Sequence, residues 1–383
     1  MFAERTQWNL APNRVSQTLS RLRGEGRKIL DLTTSNPTEC FKYDGGAVLK
    51  AFINPGSLKY HPDPRGLTVA RQAVVDYYAA RGVKVSLEDL LLTTSTSEAY
   101  TFAFRLLSNP GDEILAPSPS YPLFDFLAEI QDVKLAGYPL RYDHGWHIDL
   151  PALEQSITPR TRGIVIVHPN NPTGHYVKAQ ELARLNEICA ARGLAIIADE
   201  VFLDFSLREN QPRSLLENQS ILTLTMSGLS KISGLPQMKV AWLCLSGPEQ
   251  AKRDAMARLE MIADTYLSMS TPAQLALPAL LAQRHGFQQQ LMARVRNNLD
   301  ELDRQLREQS HCSRLEVEGG WYAIVRIPAT RSDEDLAIAL LEERGVYIHP
   351  GHFYDLPEGY IVVSLITPER DFALGIEQVL AAV

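Results

Sequence analysis

Lys231 stands in Met226-Ser-Gly-Leu-Ser-Lys-Ile-Ser-Gly-Leu-Pro236, a stretch of small and hydroxyl residues with a glycine on either side. A lysine amine condenses with an aldehyde to a Schiff base, and it becomes a nucleophile once its surroundings lower its pKa. The flanking glycines are expected to let a flat, phosphorylated ligand come close to the backbone. A Ser-Lys pair alone is ordinary solvated surface, so the weight falls on what precedes it. Gly193-Leu-Ala-Ile-Ile-Ala-Asp199-Glu200 reads as a buried parallel strand with a carboxylate at its C-terminal edge. Gly163-Ile-Val-Ile-Val-His-Pro-Asn-Asn171-Pro-Thr-Gly174 reads as a second such strand, entering an Asn-Pro-Thr-Gly turn. Open α/β sheets bind ligands at that edge. An amine, an acid and an amide are thus expected to converge.

In these residues the chain resembles the fold-type I pyridoxal-phosphate enzymes, and specifically the class I/II aminotransferases. The likeness runs from about Leu32 to the C-terminus. The ordered set Asn-Pro-Thr-Gly, strand-end Asp-Glu-Val and Ser-Lys-x-x-Gly-Leu is highly specific. The resemblance implies pyridoxal 5′-phosphate bound as a Schiff base on Lys231. The freed Lys231 amine would then take the substrate's Cα proton and return it to the cofactor's C4′ carbon. Asp199 would hold the pyridine nitrogen protonated, because a buried carboxylate stabilises a neighbouring cation. Asn171 would donate to the ring's phenolic oxygen.

Other positions follow from the same resemblance. Leu90-Leu-Leu-Thr-Thr-Ser95-Thr96-Ser97 is a strand, a hydroxyl-rich turn and a helix start. Such a helix N-terminus is an anion site, and it is also where Ser and Thr cap helices. Thr96 and Ser97 are assigned to the phosphate, with Ser95 where the family usually has glycine. Tyr121 matches an aromatic residue that stacks on the pyridine ring, Ser230 adjoins the reactive lysine, and Lys239 stands in the phosphate-gripping position. Tyr60, before Arg65-Gly66-Leu67, matches a tyrosine that reaches a partner subunit's cofactor, which implies a homodimer. Asn36, Trp321 and Tyr322 are candidates for the substrate side; a turn residue and small-domain core are their ordinary alternatives. The His144/His147 and His349/His352 pairs lack a third ligand at metal spacing and are read as loop histidines.

Around these positions the expected fold is α/β: a mostly parallel seven-stranded sheet flanked by helices, plus a smaller α+β domain. The division is residues 1–30 as an N-terminal arm and part of the small domain, 31–285 as the large cofactor-binding domain and 286–383 as the small domain. The arm would pack on a partner, as in the family, or on its own chain. Short strands are expected at 315–317, 321–326, 347–349 and 360–365. The chain has 383 residues, 45% hydrophobic and 22% charged, which suits a globular protein of two domains. Its net charge of −7 argues against a nucleic-acid surface. There is neither an apolar run of membrane-spanning length nor a signal-like N-terminus. Four scattered cysteines suit a reduced cytoplasm.

Three departures from the family pattern stand out. Phe202 replaces a common tyrosine donor to the phenolic oxygen. Lys239 replaces an arginine and offers a point charge without the planar fork. Val362 occupies the position of the arginine that clamps the substrate α-carboxylate, leaving Arg14, Arg65 and Arg326 as candidate substitutes. A carbon–sulfur β-lyase on the same scaffold is the competing enzyme reading, separable by release of ammonia and pyruvate from cystathionine. A ligand-sensing domain of a transcription regulator would need a DNA-binding module ahead of Leu32, where only a short arm is found. The lost donor at Phe202 predicts a raised pKa for the Lys231 Schiff base. A pH titration of the cofactor absorbance should give a lower value for Phe202→Tyr than for the native protein; equal values would refute the effect.

Overall fold

The computed structural model describes residues 1–210, 212–267 and 269–383. Its centre is an eight-stranded sheet, one strand more than the sequence suggests. The addition is Trp146–Ile148, three residues that fold back antiparallel on Lys134–Tyr142 through the turn at His144 and Gly145. Three residues carry too little periodicity to signal a strand from sequence. Across the sheet the strands run Leu90–Thr93, Ala241–Ser246, Thr223–Gly228, Ala195–Asp199, Thr161–Val167, Glu113–Ser118, Lys134–Tyr142 and Trp146–Ile148. Six point the same way; Ala241–Ser246 and Trp146–Ile148 run against them.

The middle strands are Ile- and Val-rich because both faces are covered. Ile164 and Ile166 pack into one core while Val165 and Val167 enter the other. Ile196 and Ala198 likewise alternate with Ala195 and Ile197. A two-residue period between two apolar layers leaves no tolerated register slip. The ends Thr93, Ser118, Val167, Asp199 and Gly228 of five strands that run the same way therefore reach the same edge of the sheet, and the turns that follow them are brought together.

A second, antiparallel sheet has the order Ser313–Arg314, Tyr322–Arg326, Tyr360–Ser364, His349–Pro350. The expected strand at 315–317 is displaced to Ser313–Arg314, and the one at 347–349 is broken at Ile348. Val346–Tyr347 instead pairs in parallel with Leu30–Asp31. His147 and His349 consequently lie in strands and not in loops. The helix Arg14–Gly24 buries Val15, Leu19 and Leu22, and Arg14 pairs with Glu334 and Asp335. Ahead of it, Trp8 meets Phe126 edge-on at 5.7 Å within the chain.

One seam ties the second sheet to the turn beyond Asp199. Ser206 and Gly319 form an antiparallel bridge. The Leu207 N–H donates to the Glu318 carbonyl at 2.9 Å, and the Gly320 N–H donates to that of Phe205 at 2.8 Å. Gly174 is needed here: its φ is +71°, and a Cβ would come within 2.4 Å of Val317. This seam aims Trp321 and Tyr322 toward the Lys231 edge.

Candidate active site

Lys231 lies in a single helical turn, Leu229–Ile232, directly after the strand Thr223–Gly228. The glycines beside it do not open the backbone to a ligand, as the sequence suggested. A Cβ on Gly228 would meet Ala241 at 2.9 Å, and one on Gly234 would meet Tyr43 at 2.4 Å. Their job is close packing of the chain against itself, which fixes the lysine's backbone. The Lys231 Nζ lies 4.9 Å from the centre of the Trp321 ring and 5.5 Å from that of Phe202. Desolvation lowers its pKa to about 8, and the Asp199 charge acts in the opposite direction.

Asp199 ends its strand as a buried carboxylate. Oδ1 accepts the Val201 N–H at 3.0 Å, and Oδ2 accepts the Tyr100 hydroxyl at 3.1 Å. Burial raises its pKa to about 6; the two donors and Lys231 restrain the rise. Asn171 is buried without a hydrogen-bond partner for its Oδ1 among the described residues. A buried orphan amide is costly unless something outside the chain completes it. Its oxygen and nitrogen are interchangeable by a flip, so it can present a donor.

These three side chains face one cavity of about 170 Å³. Thr96 and Ser97 line it at the start of the twelve-residue helix Thr96–Leu107, whose first N–H groups have no partner within the helix. Tyr121, Phe202, Ser230 and Tyr322 complete the predicted residues on its wall. Burial pushes the Tyr322 phenol up to about 12.

Other expected residues stand elsewhere. Ser95 caps the helix, its Oγ accepting the Glu98 N–H at 3.2 Å, so it serves the helix and not the cavity. Asn36 accepts the Thr38 N–H at 3.1 Å and caps the turn Pro37–Cys40; its neighbour Ser35 lines the cavity. Lys239 is exposed, with left-handed backbone at φ +52°, and Tyr60 is 74% exposed; neither touches the cavity within this chain. Trp321 is fully buried behind Lys231 and lies edge-on to Phe202 at 4.8 Å. Arg65 pairs with Glu88 and Glu260, and Arg326 lies over Tyr360. Neither these two nor Arg14 enters the cavity. Tyr100 was missed, although it follows Thr96 at helical spacing and so shares its face. The apolar wall of Leu123, Phe124 and Leu127 was missed too, because it gives no chemical signal in sequence.

Comparison with known proteins agrees with this geometry. A glutamate-pyruvate aminotransferase, AlaA, of Escherichia coli K12 is 34% identical over 278 residues, covering 72% of this chain and 68% of that protein. An alanine aminotransferase of Mycobacterium tuberculosis is 27% identical over 378 residues, 95% of this chain and 87% of the relative. The solved alanine aminotransferase from Pyrococcus furiosus matches with a TM-score of 0.90 at 23% identity, over 99% of this chain and 98% of that one, a likeness of fold. The family model for aminotransferases of class I and II matches residues 28–371, and the chain belongs to that family. It is a pyridoxal-phosphate-dependent aminotransferase that moves an amino group between an amino acid and a 2-oxo acid. Transamination therefore displaces the β-lyase reading.

The buried acid carries a stability consequence. An unfolded aspartate titrates near 3.8, and the folded Asp199 near 6. Between those values the folded protein binds the extra proton, so stability falls as pH rises and the full cost stands above pH 6. That cost is about 3 kcal/mol. Asp199→Asn should thus raise the melting temperature of the cofactor-free protein at pH 7.5, with the gain shrinking toward pH 4. The same variant should lose transamination by about 10²-fold or more. A melting temperature unchanged at pH 7.5 would contradict this assignment.

Proposed function

We propose that Lys231 carries the cofactor and shuttles the proton, and that Asp199 holds the positive charge of the ring nitrogen. Bound pyridoxal phosphate supplies the aldehyde and the sink for the electron pair left at the substrate's Cα. The chain's own residues do the rest. Asn171 completes its orphaned amide on the ring's oxygen. Thr96, Ser97 and Ser230 offer hydroxyls to the phosphate beside a helix N-terminus. Tyr121 and Phe202 bound the flat ring. One observation carries the reading: an amine with its pKa lowered, a buried acid and an unsatisfied amide line the same small cavity.

The donor and acceptor we infer are small neutral amino acids and their 2-oxo acids, with alanine and pyruvate first to be tried. The support is the names of the relatives and the apolar wall at Leu123, Phe124 and Leu127. Residues 31–285 would form the cofactor-binding unit, and 286–383, with the first thirty residues, the smaller one. Pairing of Leu30–Asp31 with Val346–Tyr347 supports the second grouping. The working form is inferred to be a homodimer, with Tyr60 and Lys239 supplied toward the phosphate from the rims of the two sites. Exposed Leu49, Ile53, Leu58 and Tyr60 are the apolar surface that a second copy would cover. The cysteines are all free, and no helix among the described residues is long and apolar enough to cross a membrane. The free cysteines fit the reduced cytoplasm that we infer as its location, and a biosynthetic role is inferred from the aminotransferase activity.

Purified holoenzyme mixed with single amines should convert its cofactor band with alanine, and pyruvate should restore it. Lys231→Ala should abolish turnover. Sedimentation should give a dimer, and Tyr60→Phe should weaken cofactor retention several-fold. A holoenzyme indifferent to every amine would overturn the reading.

A further inference from the structure

Among the described residues, Lys231 is the sole cationic side chain on the cavity wall. Its amine is occupied with the chemistry, so it is not free to hold a substrate carboxylate. The second sheet explains what stands in a cation's place. Cross-strand partners share a face, and Tyr322 pairs with Ser364, Ile324 with Val362, and Val362 with His349. Val362 thus lies on the face whose Tyr322 side chain lines the cavity, yet it is itself only 1% exposed. His349, the cross-strand partner of Val362 on that face, is kept neutral at working pH by burial, which lowers its pKa to about 4; Arg326, farther along the same face, lies over Tyr360 and outside the cavity. Its Nδ1 is engaged with the Tyr354 hydroxyl at 3.0 Å. What the small-sheet side offers the cavity is neutral: the Tyr322 phenol and the adjacent Ser35 hydroxyl.

We propose that Tyr322 and Ser35 hold the substrate's carboxylate through neutral O–H donors, and that primary amines lacking this carboxylate are substrates as well. This rests on the aminotransferase reading of the same site. A carboxylate taken from water into such a site loses its hydration without gaining a counter-charge. Two neutral donors roughly offset that loss. Removing the carboxylate therefore changes reactivity by about tenfold at most in either direction. An arginine fork would make the difference far larger, because it adds a charge and two parallel bonds. The wall of Leu123, Phe124 and Leu127 selects for an apolar chain on the amine.

The test uses holoenzyme and matched pairs: L-alanine with ethylamine, and L-phenylalanine with 2-phenylethylamine. The rate of cofactor-band conversion gives kcat/KM for each half-reaction. Acid and amine should agree within about tenfold. Tyr322→Phe should lower kcat/KM for the acid more than for its amine, mainly through KM. Val362→Arg should raise it for the acid relative to the amine by tenfold or more. Should that variant fail to fold, calorimetric titration of native holoenzyme with 3-phenylpropanoate and with 3-phenylpropanamide replaces it. Affinities within about tenfold support the proposal. A native preference for acid over amine of about 10³ or more, or equally tighter binding of the carboxylate than of the amide, overturns it. No band change with any amine, acid or not, overturns the site reading underneath it, a distinct outcome.

Discussion

Lys231 and Asp199 are largely withdrawn from water on the same cavity wall, and each biases the other's charge. Burial pulls the amine toward neutrality and the acid toward protonation, while their mutual attraction opposes both. The balance leaves an amine near pH 8, able to give and take a proton under mild conditions. It also leaves a carboxylate that welcomes a new positive charge. Such a pair is tolerated only where rigid elements hold it, since a buried charge that can relax to solvent does so. The rigid elements are two neighbouring parallel strands in register, Asp199 opposite Met226. The Lys231 turn follows within a few residues and is clamped by Gly228 against the adjacent strand.

The rest of the architecture serves this arrangement. Alternating apolar side chains fill the layers on both faces of the sheet, so five strand ends meet at one edge. Tyr100, one turn into the helix that opens with Thr96, reaches across to Asp199. The bridge at Ser206 and Gly319 brings the second sheet over the same edge and closes the cavity with Trp321 behind and Tyr322 beside the amine. The helix N-terminus at Thr96 adds partial positive charge to the wall of the same cavity. A partial positive charge and a buried acid in one cavity suit a ligand that carries both an anionic and a basic group.

Much of this was legible in the sequence because strand edges and turn chemistry are local. Asp199, Asn171, Thr96 and Ser97 each follow a recognisable apolar run, Lys231 is marked by its Ser-Lys-x-x-Gly-Leu setting, and their convergence follows from parallel pairing. What stayed hidden depends on distant partners. Nothing local distinguishes Asn36, which caps its own turn, from Ser35, which faces the cavity. Ser95 caps and Thr96 lines, although both are hydroxyl residues at a helix start. The glycines around Lys231 looked like space for a ligand, but Ala241, Tyr43 and Phe287 fill that space. Strand Trp146–Ile148 was too short to signal itself, and exists because Lys134–Tyr142 offers it an edge.

The chemistry of the site depends on the state of the Lys231 amine before any cofactor arrives. Its titration can be followed in the cofactor-free protein by NMR of isotope-labelled lysine, with Lys231→Arg used to assign the signal. A value near 8, moving lower in Asp199→Ala because the opposing carboxylate is gone, is the expected result. A value close to the ordinary 10.5, indifferent to Asp199, would show that the two groups are neither desolvated nor coupled, and would contradict the account.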